Sequence, residues 1–286
     1  MKKLSKKQFN YTILCLIALL TFLTNISSIN ALSRNFTNYY GLEINEEEYT
    51  NLENLGFTPD EIYYMTEDIF KANKDIEATL VSRTKKYFKT VYPTYGNSYS
   101  VEVTADEYYS HDDNNLRGIV QTAWRTEEST ISATSLGYRY KMVTSWDMIP
   151  PDKYYDVIGI GFDDSVHIYA NTIFYYNYDI SSGSHYTSFN YYDINLTATG
   201  ASFSYQLPSS FVGLTTTMFY DVQKDDPNST ITSLYICGDY AHAITSVSGA
   251  QADSHSINAG GIFFNPMVIY SFDEVPCCDA YASVNW

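Results

Sequence analysis

Hydrophobic and polar residues alternate over much of the chain from Ala78 onward. Tyr99, Val101 and Val103 alternate with polar neighbours. Tyr138, Tyr140, Met142, Thr144 and Trp146 fall on one face of a period-two run, with Arg139, Lys141 and Ser145 opposite. Successive strand side chains point to opposite faces, so these runs predict strands with one apolar face. Residues 154–162 are nearly all apolar, as in a strand buried on both faces. Residues 78–92, 172–178, 201–207, 215–222, 229–237 and 257–264 complete the series. Turn clusters punctuate it at Asp163 and Asp164, 181–184, 208–210, 225–228, and Gly260 and Gly261. Many short strands separated in this way predict a mainly β protein, an antiparallel β-sandwich or a barrel-like closure. No βαβ rhythm is present, which disfavours a parallel α/β fold.

A small helical N-terminal segment precedes the strands. Asn45 followed by Glu46, Glu47 and Glu48 is an N-cap with acids in the first turn. Thr58, Pro59 and Glu61 supply an N-cap, an N1 proline and the N3 acid of a capping box. Thr66, Glu67 and Asp68 start a third short helix through Ile69 and Phe70. Helices this short are not stable alone, so they are expected to dock on the β region. The expected organisation is 1–31 a signal peptide, 32–77 the helical segment and 78–286 the antiparallel β domain.

The first 31 residues carry that expectation of export. Lys2, Lys3, Lys6 and Lys7 precede an apolar run of about a dozen residues, and a polar stretch ends at Ala31. The run is short of the roughly 20 residues a membrane span needs. Cleavage changes the charge: 17 basic residues lose four lysines to leave 13 against 33 acidic ones, a net charge of −20. Such a chain repels nucleic acid and anionic membranes, leaving extracellular glycans or proteins as expected partners. The C-terminal Ser283–Trp286 carries no apolar tail, so a released protein, or one held non-covalently at the cell surface, is expected.

Three cysteines would survive cleavage, and Cys237 with either Cys277 or Cys278 is the natural disulfide in an oxidising compartment. Tyrosine is the compositional anomaly, at 29 residues, many of them in Tyr-Tyr pairs. A pair in a strand sends one ring to each face, either into packing or onto an aromatic surface for sugars and partners. Tyr175, Tyr176, Tyr191 and Tyr192 are the candidates for such a surface. No motif of hydrolase, zinc protease, nucleotide or dinucleotide chemistry occurs. The densest polar group is 238–242, where Asp239, Tyr240 and His242 are candidates for acid–base chemistry. In an extended chain Tyr240 and His242 share a face, with Cys237 and Asp239 on the other. The doublets Asp163 and Asp164, and Asp225 and Asp226, are candidate Ca2+ ligands, although surface turns favour Asp without any ion. No other cofactor is expected.

Residues 40–44, 46–49, Leu52, 55–57 and 60–63 resemble a pattern in uncharacterised secreted proteins of low-GC Gram-positive bacteria. So do 154–161 and 238–243. The resemblance implies class and location and carries over no catalytic residue. The expected function is that of a secreted non-enzymatic β protein binding a surface, glycan or protein partner. A secreted hydrolase using Asp239 and His242, and a bacteriocin-like or membrane-active protein, are the alternatives.

Overall fold

The computed structural model describes residues 35–111, 121–148, 150–151, 153–169, 172–180, 183–184, 194–208, 211–273 and 275–286. The expected signal peptide, Tyr191 and Tyr192 lie outside these residues. In chain order the chain forms β1 (Phe36–Thr37), β2 (Glu43–Ile44), α1 (Glu46–Asn54), α2 (Pro59–Tyr63) and α3 (Glu67–Asn73). Then come β3 (Ala78–Tyr92), β4 (Tyr99–Val103), α4 (Ala105–Tyr109), β5 (Gln121–Thr134), β6 (Gly137–Met148) and β7 (Tyr155–Phe162). Next are β8 (Val166–Ile168), β9 (Phe174–Asp179), β10 (Ile194–Thr197), β11 (Gly200–Gln206), β12 (Leu214–Lys224) and β13 (Ser233–His242). Finally α5 (Gly249–Ala252), β14 (His255–Asn258), β15 (Gly261–Phe264) and β16 (Cys278–Ser283) close the chain.

The chain is mainly β, and among the described residues every strand pair is antiparallel. One sheet has the order β4-β3-β5-β6-β12-β8, with β9 also on β12; the other runs β10-β11-β7-β13-β16. Among the described residues neither sheet closes, so the barrel-like alternative is corrected. Inward residues of both sheets form one core: Trp146, Met218 and Tyr220 from the larger, and Ile158, Phe203 and Ile236 from the smaller. Apolar burial of this kind is the main favourable term in folding.

The outer face of the larger sheet is covered too. Leu52, Leu55, Phe57, Ile62 and Phe70 from the α1–α3 segment pack on Tyr176, Tyr178 and Phe219. Asn45 and Thr58 make the reciprocal capping bonds that start α1 and α2. The polar stripe of β6 is therefore not solvated. Lys141 Nζ reaches Glu61 at 2.7 Å, and Arg139 Nε reaches Asp221 at 2.8 Å, all four side chains being buried.

On the smaller sheet the hairpin β14–β15 lies across the outer face. A Cβ on Gly161 would sit 1.7 Å from the Asn258 carbonyl oxygen, and one on Gly159 would sit 3.1 Å from Ile257 Cδ1. The bare backbone at these two positions lets the hairpin approach the sheet. Two strand boundaries differ from the pattern. Residues 257–264 belong to two strands that turn between Asn258 and Gly261, and β13 runs on through 238–242 without a turn.

Candidate functional site

The alternation of β13 puts Asp239 and His242 on opposite faces of the smaller sheet. His242 points inward and is fully buried. Its Nδ1 lies 2.7 Å from Asp156 Oδ1 and its Nε2 lies 3.0 Å from the Tyr92 hydroxyl. Tyr240 donates its hydroxyl to Asp156 and accepts from Trp146 Nε1 at 2.7 Å. The His242 backbone N–H donates to Asp273 Oδ1 at 2.6 Å. Asp273 Oδ2 in turn meets Arg125 at 2.9 Å, and Arg125 Nε meets Glu127 at 3.2 Å. The Arg125 guanidinium is stacked among Phe88, Trp146 and Tyr240, 5.0–5.2 Å from each ring centroid. Most polar groups of this network are paired inside the protein, as buried polar groups usually are, while Arg125 Nη2 and Glu127 Oε2 have no hydrogen-bond partner among the described residues. Tyr240 and His242 come together as their spacing predicts, and Asp239 does not join them.

Asp239 instead faces outward, under the hairpin. Its Oδ2 accepts from the Ile262 N–H at 2.7 Å and its Oδ1 from the Tyr240 N–H at 2.8 Å. It belongs to the lining of a cleft of about 350 Å³, together with Asp273, Phe263, Phe264, Phe272 and Cys277. Phe264 and Phe272 stack with centroids 4.0 Å apart, and Phe263 is 49% exposed. Tyr270 and Met267 stand exposed in the segment that follows β15. An aromatic wall beside a carboxylate can stack a ring or sugar face and accept hydrogen bonds from hydroxyl groups.

Burial pushes the Asp239 carboxyl up to about 6 despite its two backbone donors. Burial likewise pushes Glu127 up to about 8 against the pull of Arg125. Burial also pushes Glu61 upward, but Lys141 and three hydrogen bonds outweigh it and leave the carboxyl below its ordinary value. These directions set a pH dependence. The folded chain holds protons on Asp239 and Glu127 that the unfolded chain has released, so their contribution to stability falls as pH rises through roughly 4 to 8. The urea midpoint should therefore rise as pH is lowered from about 8 to about 5. Glu61 has the opposite sign: its stabilisation is present above its unfolded value and is lost as pH drops below about 4. Urea titrations of the parent chain and Glu127→Gln test this. The variant should flatten the rise, and a flat parental profile would refute the assignment.

The remaining candidates lie apart from this site. Tyr175 is buried in the inter-sheet core and Tyr176 beneath the helices, so neither forms an aromatic surface. The outward ring of the pair is covered because a second layer packs on its face. Exposed tyrosines occur instead at Tyr39, Tyr40 and Tyr63, with Tyr39 lying 5.2 Å from Tyr40 and 6.1 Å from Tyr63 between centroids. Asp163 Oδ1 accepts from Ser165 N at 3.0 Å, Asp225 Oδ1 meets His167 Nδ1 at 2.9 Å, and Asp226 Oδ1 accepts from Asn228 N at 2.9 Å. Asp163 and Asp226 serve their own turns, Asp225 pairs with His167 of β8, and Asp164 joins none of these bonds. Among the described residues, three potential metal-ligand atoms converge at Cys237, Cys277 and Asp279. Arg125, Glu127, Asp156, Asp273 and Phe263 were missed by sequence reasoning. A usable signal existed for two of them: Arg125 and Glu127 are two residues apart, hence on one face of a strand.

No protein-family model matches the chain, and no curated protein matches it. One similar solved chain belongs to a structure described as manganese lipoxygenase of Gaeumannomyces graminis with a partial structure of zonadhesin of Komagataella pastoris. The match is 11% identical, covers 73% of this chain and 88% of that one, and has a TM-score of 0.24. Similarity at that level carries no argument about fold or function.

Proposed function

We propose that this chain is a secreted, non-enzymatic β-sandwich protein that binds a glycan or a protein surface through the cleft above Asp239. The observation that supports this reading is the cleft itself: an aromatic wall with half-exposed Phe263 beside the partly buried Asp239 carboxyl. The groups suited to acid–base chemistry, His242 and Asp156, are directed at each other and at Tyr92 and Tyr240 inside the protein.

Sedimentation of the purified chain with isolated bacterial cell walls and mucus glycans tests the reading. Saturable binding to one of these materials is expected. Phe263→Ala should weaken it about tenfold, the effect of losing about 1.4 kcal/mol at an aromatic anchor. Asp239→Asn should weaken it while leaving far-UV circular dichroism unchanged. Tyr39→Ser and Tyr63→Ser serve as controls on a separate surface. If they abolish binding and the cleft variants do not, the site is misplaced. If nothing binds, the reading fails.

A further inference from the structure

We propose that Cys237 and Cys277 form a disulfide by exchange with a low-molecular-weight disulfide, while Cys278 remains a sealed thiol. The pairing follows from the register of β13 and β16, in which Cys237 lies across from Asp279 and Gly238 across from Cys278. The alternation of these strands sends Cys237 to the outer face of the smaller sheet and Cys278 to the inner face. Cys278 is fully buried in the inter-sheet core, where its Sγ contacts the carbonyl oxygens of Thr84 and Glu127, each at 3.4 Å.

Cys277 immediately precedes β16 and emerges on the outer side, partly exposed. Its Sγ lies within 4.8 Å of Cys237 Sγ. The other polar contact of this sulfur is weak, 3.8 Å to the Gly260 carbonyl oxygen. The two cysteines are diagonal cross-strand neighbours in this register. The sulfurs lie within 4.8 Å of one another, and closing them to bonding distance takes side-chain rotation together with backbone adjustment at Cys277, which precedes β16, whereas Cys278 would have to cross the sheet to reach Cys237. Cys277 and Cys278 project to opposite sides and do not face one another.

Asp239 and Asp279 sit beside the pair, and neither makes an ion pair with a described residue. The hairpin turn also presses down here: a Cβ on Gly261 would sit 2.5 Å from Asp239 Oδ2 and 2.9 Å from Cys277 Sγ. The bond would close the loop from 237 to 277, which contains β14, β15 and Asp239, and would hold the Cys277 edge of the cleft in place.

The chemistry balances with one molecule of oxidised glutathione. The more exposed Cys277 loses its proton to water and its thiolate attacks one glutathione sulfur, expelling the first glutathione thiolate. Cys237 then loses its proton and attacks Cys277 Sγ, breaking the mixed disulfide and expelling the second. Two protein thiols are oxidised and one glutathione disulfide is reduced to two thiols.

The test treats the purified chain with oxidised glutathione, blocks free thiols with iodoacetamide and maps non-reduced peptides by mass. The expected product is a 237 peptide joined to the peptide containing 277, lighter by two hydrogens, with fragmentation placing the alkyl group on Cys278 once the chain is unfolded. Cys278→Ser should keep the link and Cys277→Ser should abolish it. Fragmentation of the unsubstituted chain decides the pairing if either variant misfolds. A link to Cys278, a Cys277–Cys278 ring or three alkylated cysteines would overturn the proposal. So would a chain isolated with one equivalent of divalent metal held by Cys237, Cys277 and Asp279.

Discussion

Arg125→Ala is expected to cost about 3–5 kcal/mol of folding stability, a large share of the roughly 5–15 kcal/mol that domains possess. The side chain is fully buried and opposes two buried carboxyls, Asp273 at 2.9 Å and Glu127 at 3.2 Å. Burial alone would favour a neutral guanidine, and the two acids outweigh it to keep the charge in place. Glu127 is pushed up to about 8 and can take up a proton at neutral pH. Asp273 is the acid that loses its counter-charge. It is held by Ser100 Oγ at 2.5 Å and the His242 N–H at 2.6 Å, which hydrogen-bond to the carboxylate without neutralising it. Alanine also removes the cation between three aromatic rings. Urea denaturation of the single variant measures the loss. The triple variant Arg125→Met, Asp273→Asn, Glu127→Gln removes the charges together and should recover at least half of it, because an uncompensated buried charge is the main cost. A single-variant loss below about 1 kcal/mol would contradict this account.

Lys141→Ala should destabilise by a comparable amount, about 3–5 kcal/mol, through the opposite face of the same sheet. Glu61 Oε2 accepts from Lys141 Nζ at 2.7 Å and from the Thr58 N–H at 2.8 Å. Its Oε1 accepts from the Tyr176 hydroxyl at 3.0 Å and Thr217 Oγ1 at 2.6 Å. Four donors satisfy the carboxylate, and only Lys141 brings a positive charge. Lys141 also donates to the Gly56 carbonyl at 3.0 Å, which ties the loop between α1 and α2 to β6. Loss of this charge should loosen the α1–α3 layer before the sheets, visible as faster amide exchange in residues 46–73. The pair Lys141→Met with Glu61→Gln should be less destabilised than Lys141→Ala alone. A double-mutant cycle with no coupling would show that the ion pair does not hold the layer.

Strand positions with one apolar face are readable in the sequence. Residues 138–146 alternate and lie within β6, and the apolar run 154–162 contains β7, Tyr155–Phe162, buried on both sides. Strand β5 shows where this reading stops. Its residues 121–134 include Arg125, Glu127 and Glu128, so no apolar face is visible. Yet Arg125 and Glu127 point into the core, and Glu128 pairs with Arg83 at 3.2 Å on the other side. Arg125 meets Asp273 and Glu128 meets Arg83, partners 148 and 45 residues away in sequence, which no local window contains.

The candidate site divides the same way. The face shared by Tyr240 and His242, with Asp239 opposite, follows from the two-residue period of an extended chain. Nothing local reveals that Asp156 meets His242 from β7, or that the β14–β15 hairpin brings Phe263 and Phe264 beside Asp239. Tyr175 and Tyr176 show the limit most directly. The alternation of β9 says they face opposite ways, and the layer packed on each side decides that both are buried.

What the sequence by itself determined about this protein is local: which segments extend, which residues share a face, and the chain's strongly acidic character. Those properties depend on neighbours one or two positions away and on summed composition. The tertiary structure alone decided that the β6 charges are buried and paired, that Tyr240 and His242 are sealed, and that an aromatic cleft opens over Asp239. Each of these depends on contacts between elements distant in sequence, where burial and partner geometry outweigh local preference.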